Sequence, residues 1–260
     1  MEIRSSLIVK TTFLSVLLLL AGCAAEGSKF GASLADVGEG APVLAAEAPA
    51  SLRVLVIGGT QGTGLEIVRL GLTRGYQMTA VARHPEKMPL ADERLSNVAG
   101  DITDAKRMAE LVAGQDVVVS AIGIGPSREQ VSLFSEGMKN VLAAMPDSNN
   151  AQLITVSGIG AGDSRGHGGF IYDNIVYPLL TKQIYLDKDR QEALIKASNV
   201  MWTIVRPGLL TDDTAATKYR VLEDMDGVVS GEISRADVAH FIVAAFEQQS
   251  HIGKTVFLTN

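Results

Sequence analysis

Leu52 to Ile57 is a short, apolar, β-branched run that leads straight into Gly58-Gly59-Thr60-Gln61-Gly62-Thr63-Gly64. An amphipathic stretch follows at once, with Leu65, Val68 and Leu72 on one face and Glu66, Arg69 and Thr73 off it. This order predicts a strand, a tight turn and a helix. A glycine turn at a helix N-terminus is an anion site. Backbone N–H groups point outward there, the helix dipole favours negative charge, and the missing side chains let a pyrophosphate approach closely. Gly58, Thr60, Gln61, Gly62, Thr63 and Gly64 are the candidate contacts. Their spacing, Gly58-x-x-x-Gly62-x-Gly64, differs from the common G-x-G-x-x-G, and a glycine-rich turn without a ligand is the alternative reading.

Further strands are expected at 77–82, 95–99, 116–123, 152–157 and 201–209, with a last short one at 256–258. Helices are expected at 105–113 and 130–145, and one or two within 172–198, where Pro178 argues for a break. Asp104 is placed to cap the first of these, and Ser234 with Asp237 has capping-box-like spacing at the start of the last helix. The chain has 260 residues, 47% hydrophobic and 20% charged, which suits one α/β domain with a sizeable core. Its net charge of −6 argues against a nucleic-acid surface. The single cysteine, Cys23, excludes an intramolecular disulfide and a cysteine-based metal site.

Several residues invite a chemical role. Arg83 closes the second strand, where an NAD site offers a carboxylate to the ribose 2′-hydroxyl and an arginine accommodates a 2′-phosphate instead. That favours NADP(H) over NAD(H), with a solvated loop arginine as the alternative. Ala121, Ile122 and Gly123 form a small strand end past which a ribose and diphosphate could run. Ser157 stands at the carboxyl end of its strand, where ligands sit in open α/β sheets, or else it caps that strand. Residues 158–169 are glycine-rich and predict a mobile loop beside the pocket. Residues 210–230 predict a small lobe over the substrate. No metal cluster appears, and Val156-Ser157-Gly158-Ile159-Gly160 lacks the leading glycine of a nucleophile elbow.

The loop Gly-Gly-Thr-Gln-Gly-Thr-Gly resembles the nucleotide loop of the atypical short-chain dehydrogenase/reductases. Within that group the chain is most similar to the NAD(P)H-binding, NmrA-like proteins, including the biliverdin IX-beta/flavin reductase type, over residues 52–258. The resemblance implies a Rossmann-type doubly wound parallel sheet. It implies that Asp101 and Ile102 lie against the adenine, and that Arg83 belongs to an NADP-binding turn with His84-Pro85-Glu86-Lys87-Met88. It implies a catalytic or substrate-positioning role for Ser157, and an active-site helix over 185–192 with Lys188 at the family's lysine position. Arg206-Pro207-Gly208-Leu209 resembles the family's Arg-Pro-Gly signature, with the proline as a wall near the nicotinamide.

The ordinary short-chain enzymes use Tyr-x-x-x-Lys. Four residues beyond Tyr76, Tyr172, Tyr177, Tyr185 and Tyr219 stand Ala80, Val176, Thr181, Asp189 and Glu223, and none is lysine. Alcohol–ketone chemistry by the usual dyad is therefore disfavoured. The expected function is an NAD(P)H-dependent oxidoreductase whose small-molecule acceptor is conjugated: a flavin, quinone or tetrapyrrole-like compound. A non-catalytic NADP(H)-binding sensor or scaffold is the first alternative, and an isomerase or lyase with a resident cofactor the second. The oligomeric state is left open.

At the N-terminus, Arg4 and Lys10 precede an apolar run over 13–21 that is too short to span a bilayer comfortably. A basic start, a short apolar core and small residues after it describe a secretory signal. Leu20-Ala21-Gly22-Cys23 resembles a bacterial lipobox. The expectation is a signal peptide over 1–22, lipid on Cys23, a flexible tether over 23–50 and a folded domain over 51–260. The alternative is a buried cysteine after a signal-anchor. Processing would remove Glu2, Arg4 and Lys10, so attachment to a membrane would rest on lipid rather than charge. Such a protein faces the periplasm or the cell surface, where free NADPH is not expected, and it is cytoplasmic if the signal is not used. Arg4 is followed by Ser5, so no twin-arginine pair offers export with a bound cofactor.

Overall fold

The computed structural model describes residues 52–145 and 151–260. Cys23, the signal reading of 1–22 and the tether reading of 23–50 lie outside them.

Strand β1 (Arg53–Ile57) is buried from Val54 onward and sits in the middle of an eight-stranded sheet. It pairs in parallel with β2 (Gln77–Ala82), Ile57 opposite Val81, and with β4 (Val117–Ser120), Ile57 opposite Ser120. The remaining strands are β3 (Leu95–Ala99), β5 (Gln152–Val156), β6 (Met201–Pro207), β8 (Arg220–Leu222) and β10 (Lys254–Thr259), in the order β3-β2-β1-β4-β5-β6-β10-β8. Every pairing is parallel except that of β8 with β10. A separate parallel ribbon joins β7 (Leu209–Thr211) to β9 (Glu232–Ser234).

Alternate strand residues face opposite layers. Val54, Val56, Val117 and Val119 pack with α1 (Gly62–Thr73) and α5 (Arg235–Glu247) through Ile67, Val68, Val238 and Ile242. Leu55, Ile57, Val118 and Leu153 pack with α2 (Ala105–Val112), α3 (Leu133–Ala144) and α4 (Lys182–Lys196) through Met108, Met138, Val141 and Ile195. The fold is the expected doubly wound parallel α/β sheet. Both expected caps form: Asp104 accepts from the Arg107 amide at 3.0 Å, and Ser234 from the Asp237 amide at 2.9 Å.

Three local expectations change. The strand expected to end at Gly123 stops at Ser120, one last bond to the neighbouring strand being made by the Ala121 amide, which donates to the Ile57 carbonyl at 2.9 Å. Pro178 does not break its helix. Tyr172–Thr181 instead winds as a π-helix that runs into α4, the wider turn accommodating a residue with no N–H to donate. The first part of the glycine-rich loop is pinned rather than loose. Gly158 to Ala161 are buried, and the Gly162 amide donates to Asp189 at 2.7 Å.

Candidate functional site

Strand order runs outward in both directions from the β1–β4 pair, so a crevice opens beyond their carboxyl ends. It holds a cleft of about 730 Å³. The glycine turn forms its floor. Gly58 has φ +89°, and a Cβ there would stand 2.8 Å from the Ala121 carbonyl oxygen. A Cβ on Gly64 would stand 2.1 Å from the Gly58 oxygen, so both positions require glycine to bring α1 against β1. Leu65 is the first residue of α1 whose amide reaches a carbonyl, that of Gln61 at 3.3 Å. Gln61 makes no side-chain cap, and the first turn carries no acid. The amides of that turn are therefore open to an anion, with no carboxylate competing. Gly58, Thr60, Gln61, Gly62 and Thr63 line the cleft, whereas Gly64 lies behind them as packing.

At one end Arg83, Asp101 and Ile102 line the cleft, with Ala121, Ile122 and Gly123 along its wall. Arg83 is exposed and makes no ion pair among the described residues, and Lys87 stands in the same wall. Asp101 accepts from the Thr103 amide at 2.9 Å and its hydroxyl at 2.8 Å. Those bonds outweigh partial burial and hold its carboxyl below the usual carboxylate range. Asp101 thus clamps its own turn. His84 is exposed beside Glu86, and His167 bonds the Val228 carbonyl outside the cleft.

At the other end the cleft meets Phe134, Ser157, Tyr185 and Lys188. Lys188 is buried. Its Nζ donates to the Val156 oxygen at 3.1 Å and the Ser157 oxygen at 3.2 Å, and lies 4.5 Å from the Phe134 ring centroid. Burial lowers its pKa to about 8, against the opposing pull of Glu192 and Asp187. Ser157 Oγ donates to Glu192 at 2.6 Å. Burial opposes the charge on Glu192, but Arg206, with Ser157 and Lys196, holds its carboxyl below the usual range. Arg206 grips Glu192 with two nitrogens, at 2.9 and 2.5 Å, and also pairs with Asp163. The serine's proton is committed to this carboxylate, so its oxygen reaches the cleft as an acceptor.

Tyr185 is not among the expected site residues. It precedes Lys188 by three positions, which puts both on one face of α4. Its hydroxyl is no substitute for the missing dyad. Burial, with Tyr172 beside it, pushes its pKa well above the ordinary tyrosine value, the opposite of what a proton donor needs.

Pro207, Gly208 and Leu209 do not line the cleft. Pro207 is buried in the sheet, the Gly208 amide bonds the Leu258 oxygen at 2.9 Å, and Leu209 points to solvent. Leu210 and Asp212 from the succeeding residues form that wall instead, and Arg235 joins them. Arg235 had no signal of its own beyond the capping spacing of Ser234, which starts the helix it opens.

Residues 58–249 match the family described as NAD(P)H-binding. An uncharacterized chloroplastic protein of Arabidopsis thaliana is 30% identical over 214 residues, 78% of this chain and 75% of the plant protein. Among solved structures, ChuY, an anaerobillin reductase from Escherichia coli O157:H7, is 21% identical with a TM-score of 0.67, covering 80% of this chain and 96% of that one. A candidate exported protein from Burkholderia pseudomallei is 25% identical with a TM-score of 0.62, covering 80% of this chain and all (100%) of that one. The chain therefore belongs to the NAD(P)H-binding family.

Proposed function

We propose that this protein is an NADPH-dependent reductase whose acceptor is a conjugated molecule such as a flavin, quinone or tetrapyrrole-like compound. One observation carries the reading: the Ser157 and Tyr185 hydroxyls at the reacting end of the cleft are unfit to deliver a proton. Ser157 already donates to Glu192, and Tyr185 is held protonated by burial. A conjugated acceptor tolerates that, because its reduced form takes a proton from solvent. The anaerobillin reductase activity of ChuY is consistent with such an acceptor.

The cleft fits a dinucleotide on its own geometry. The turn at Gly58 leaves no room for a side chain, and the amides of Gly62, Thr63 and Gly64 have no partner among the described residues. A bound nicotinamide supplies the hydride. Lys188 uses two of its three N–H donors on strand carbonyls, and the third is available to a ribose hydroxyl. Ser157 would position an acceptor through its lone pairs. Arg83 and Lys87 together favour NADP(H), since a guanidinium can hold a 2′-phosphate with paired hydrogen bonds.

The test is stopped-flow oxidation of bound NADPH by a flavin, a quinone and a linear tetrapyrrole. Ser157→Ala is expected to slow hydride transfer by roughly 10-fold, below the 10²- to 10⁴-fold typical of a positioned acid. A loss beyond about 10³-fold with NADPH binding intact would make the serine the acid after all. Tight NADPH binding with no oxidation by any acceptor would favour the sensor reading.

We further propose that the chain is a lipoprotein anchored through Cys23, a location that requires the nicotinamide nucleotide of the reductase reading to be supplied outside the cytoplasm. The support is the lipobox-like Leu20-Ala21-Gly22-Cys23 and the likeness to a candidate exported protein. Cys23→Ser is expected to leave an uncleaved precursor that takes up no fatty-acid probe. Unchanged size and labelling would refute it.

A further inference from the structure

Arg235 is the first residue of α5, directly after the Ser234 cap, yet its side chain reaches the glycine turn at the start of α1. A Cβ on Gly62 would stand 3.6 Å from its Nε. The arginine lines the cleft beside Gly62 and Thr63. Its guanidinium pairs with Asp212, whose Oδ1 accepts from Nη1 at 2.6 Å. The two are unequally placed: the Asp212 side chain is 89% exposed and that of Arg235 27%. An ion pair with one member in water is worth little and exchanges readily.

Opposite the guanidinium lies the first turn of α1, with unpaired amides, no cap and no acid. The amides alone present partial charges. With Arg235 they become a two-sided anion site, in which a planar fork matched to phosphate oxygens faces a helix N-terminus. Arg83 and Lys87 stand in a different stretch of the wall, after β2, so they are not needed for this contact.

We propose that Arg235 clamps the diphosphate of the bound dinucleotide over the glycine turn, exchanging Asp212 for phosphate oxygens as it does so. The proposal rests on dinucleotide binding, not on any one reaction or on a choice between NADP and NAD. The diphosphate is common to both cofactors. Arg235 therefore contributes affinity to each alike, whereas Arg83 discriminates between them.

The experiment is calorimetric titration of the full chain with NADP⁺ and with NAD⁺ at several salt concentrations. Arg235→Ala is expected to weaken both by the same factor, roughly 10- to 100-fold, and to flatten the salt dependence of binding. Arg235→Lys, which keeps the charge but loses the fork, should fall between. Arg83→Ala should weaken NADP⁺ alone. Asp212→Asn removes a competing anion and should tighten both cofactors by about 2- to 3-fold. Unchanged affinity in Arg235→Ala would overturn the clamp while leaving dinucleotide binding intact. A loss with an unaltered salt dependence would overturn it too, because the arginine would then be supporting the fold rather than meeting charge. Weaker binding in Asp212→Asn would overturn the exchange. A wild-type chain that binds neither cofactor would refute dinucleotide binding itself, and the clamp with it.

Discussion

Arg206→Met is expected to lower the free energy of unfolding by about 3 to 5 kcal/mol, the scale seen when one partner of a buried ion pair is removed. Arg206 is 1% exposed and Glu192 4%. Methionine fills the arginine's space beside Phe257 but leaves Glu192 charged and buried, with Ser157 and Lys196 as its remaining bonded partners and Lys188 as a further nearby charge. Asp163 loses a partner as well, yet its side chain is 85% exposed and water can take over. The cost therefore lies with Glu192. Arg206→Met combined with Glu192→Leu should recover much of the loss, since an apolar pair of similar volume is often no less stable than a buried ion pair. Urea unfolding of both variants decides it. A single-variant loss below about 1 kcal/mol would mean that the pair is solvated and interchangeable with a surface bridge. A double variant no better than the single would mean that packing, not the stranded carboxylate, carries the cost.

The second large effect belongs to Lys188 and depends on pH. Its pKa is about 8 in the folded chain against 10.5 for a free lysine. Between those values the unfolded chain binds more protons at this position than the folded one, so stability rises with pH across the window. Below pH 8 the full cost of burying the ammonium is present, and by pH 10.5 it is gone. Lys188→Met should accordingly be more stable than the wild type near pH 7, by up to about 3 kcal/mol, the shift converted at 1.36 kcal/mol per unit. That advantage should fall steadily between pH 8 and pH 10.5. The two hydrogen bonds to the Val156 and Ser157 carbonyls are lost at every pH and reduce the gain by a constant amount. Because other groups titrate alike in both proteins, the difference between their urea midpoints at pH 7 and pH 10 isolates the lysine. An equal difference at both pH values would refute a buried, partly neutralised amine. The same substitution is expected to weaken cofactor binding, so a group that costs stability would be kept for what it holds.

These two residues are visible in the sequence to different degrees. Lys188 is recognisable by its place in a motif, and Arg206 by the Pro-Gly immediately after it. Neither motif says that Arg206 grips Glu192, or that Glu192 in turn holds the proton of Ser157. Ser157 and Glu192 are 35 residues apart, and Arg206 and Asp163 are 43 apart. By its position alone Ser157 reads as a free hydroxyl at a strand end. Its acceptor sits on another element, and only the packing of α4 against β5 and β6 brings the two together.

The α3–α4 junction shows the same division. Ser132 precedes α3 and makes no side-chain cap. Asp187, in the middle of α4, accepts from the amides of Phe134 and Ser135 at 2.8 and 3.3 Å, so one helix is capped by its neighbour. That bond also fixes Phe134 beside Lys188. No local pattern announces it, because capping rules read the few residues around a helix start.

The amino-acid sequence by itself determined the features that short-range physics controls. β2 and β3 fall on the residues expected for them, 77–82 and 95–99, Asp104 and Ser234 cap the helices they precede, and the glycine turn takes the tight path that any Cβ at Gly58 or Gly64 would block. These features depend on periodicity and on conformations allowed within a few residues. The tertiary structure alone decided which side chains share the cleft. It turned Pro207, Gly208 and Leu209 away, brought Tyr185 and Arg235 in, and tied Ser157 to Glu192. Those outcomes depend on how two helical layers seat on opposite faces of one sheet. A side chain's direction and its partner are then set by elements far away in the chain, which no local spacing can encode.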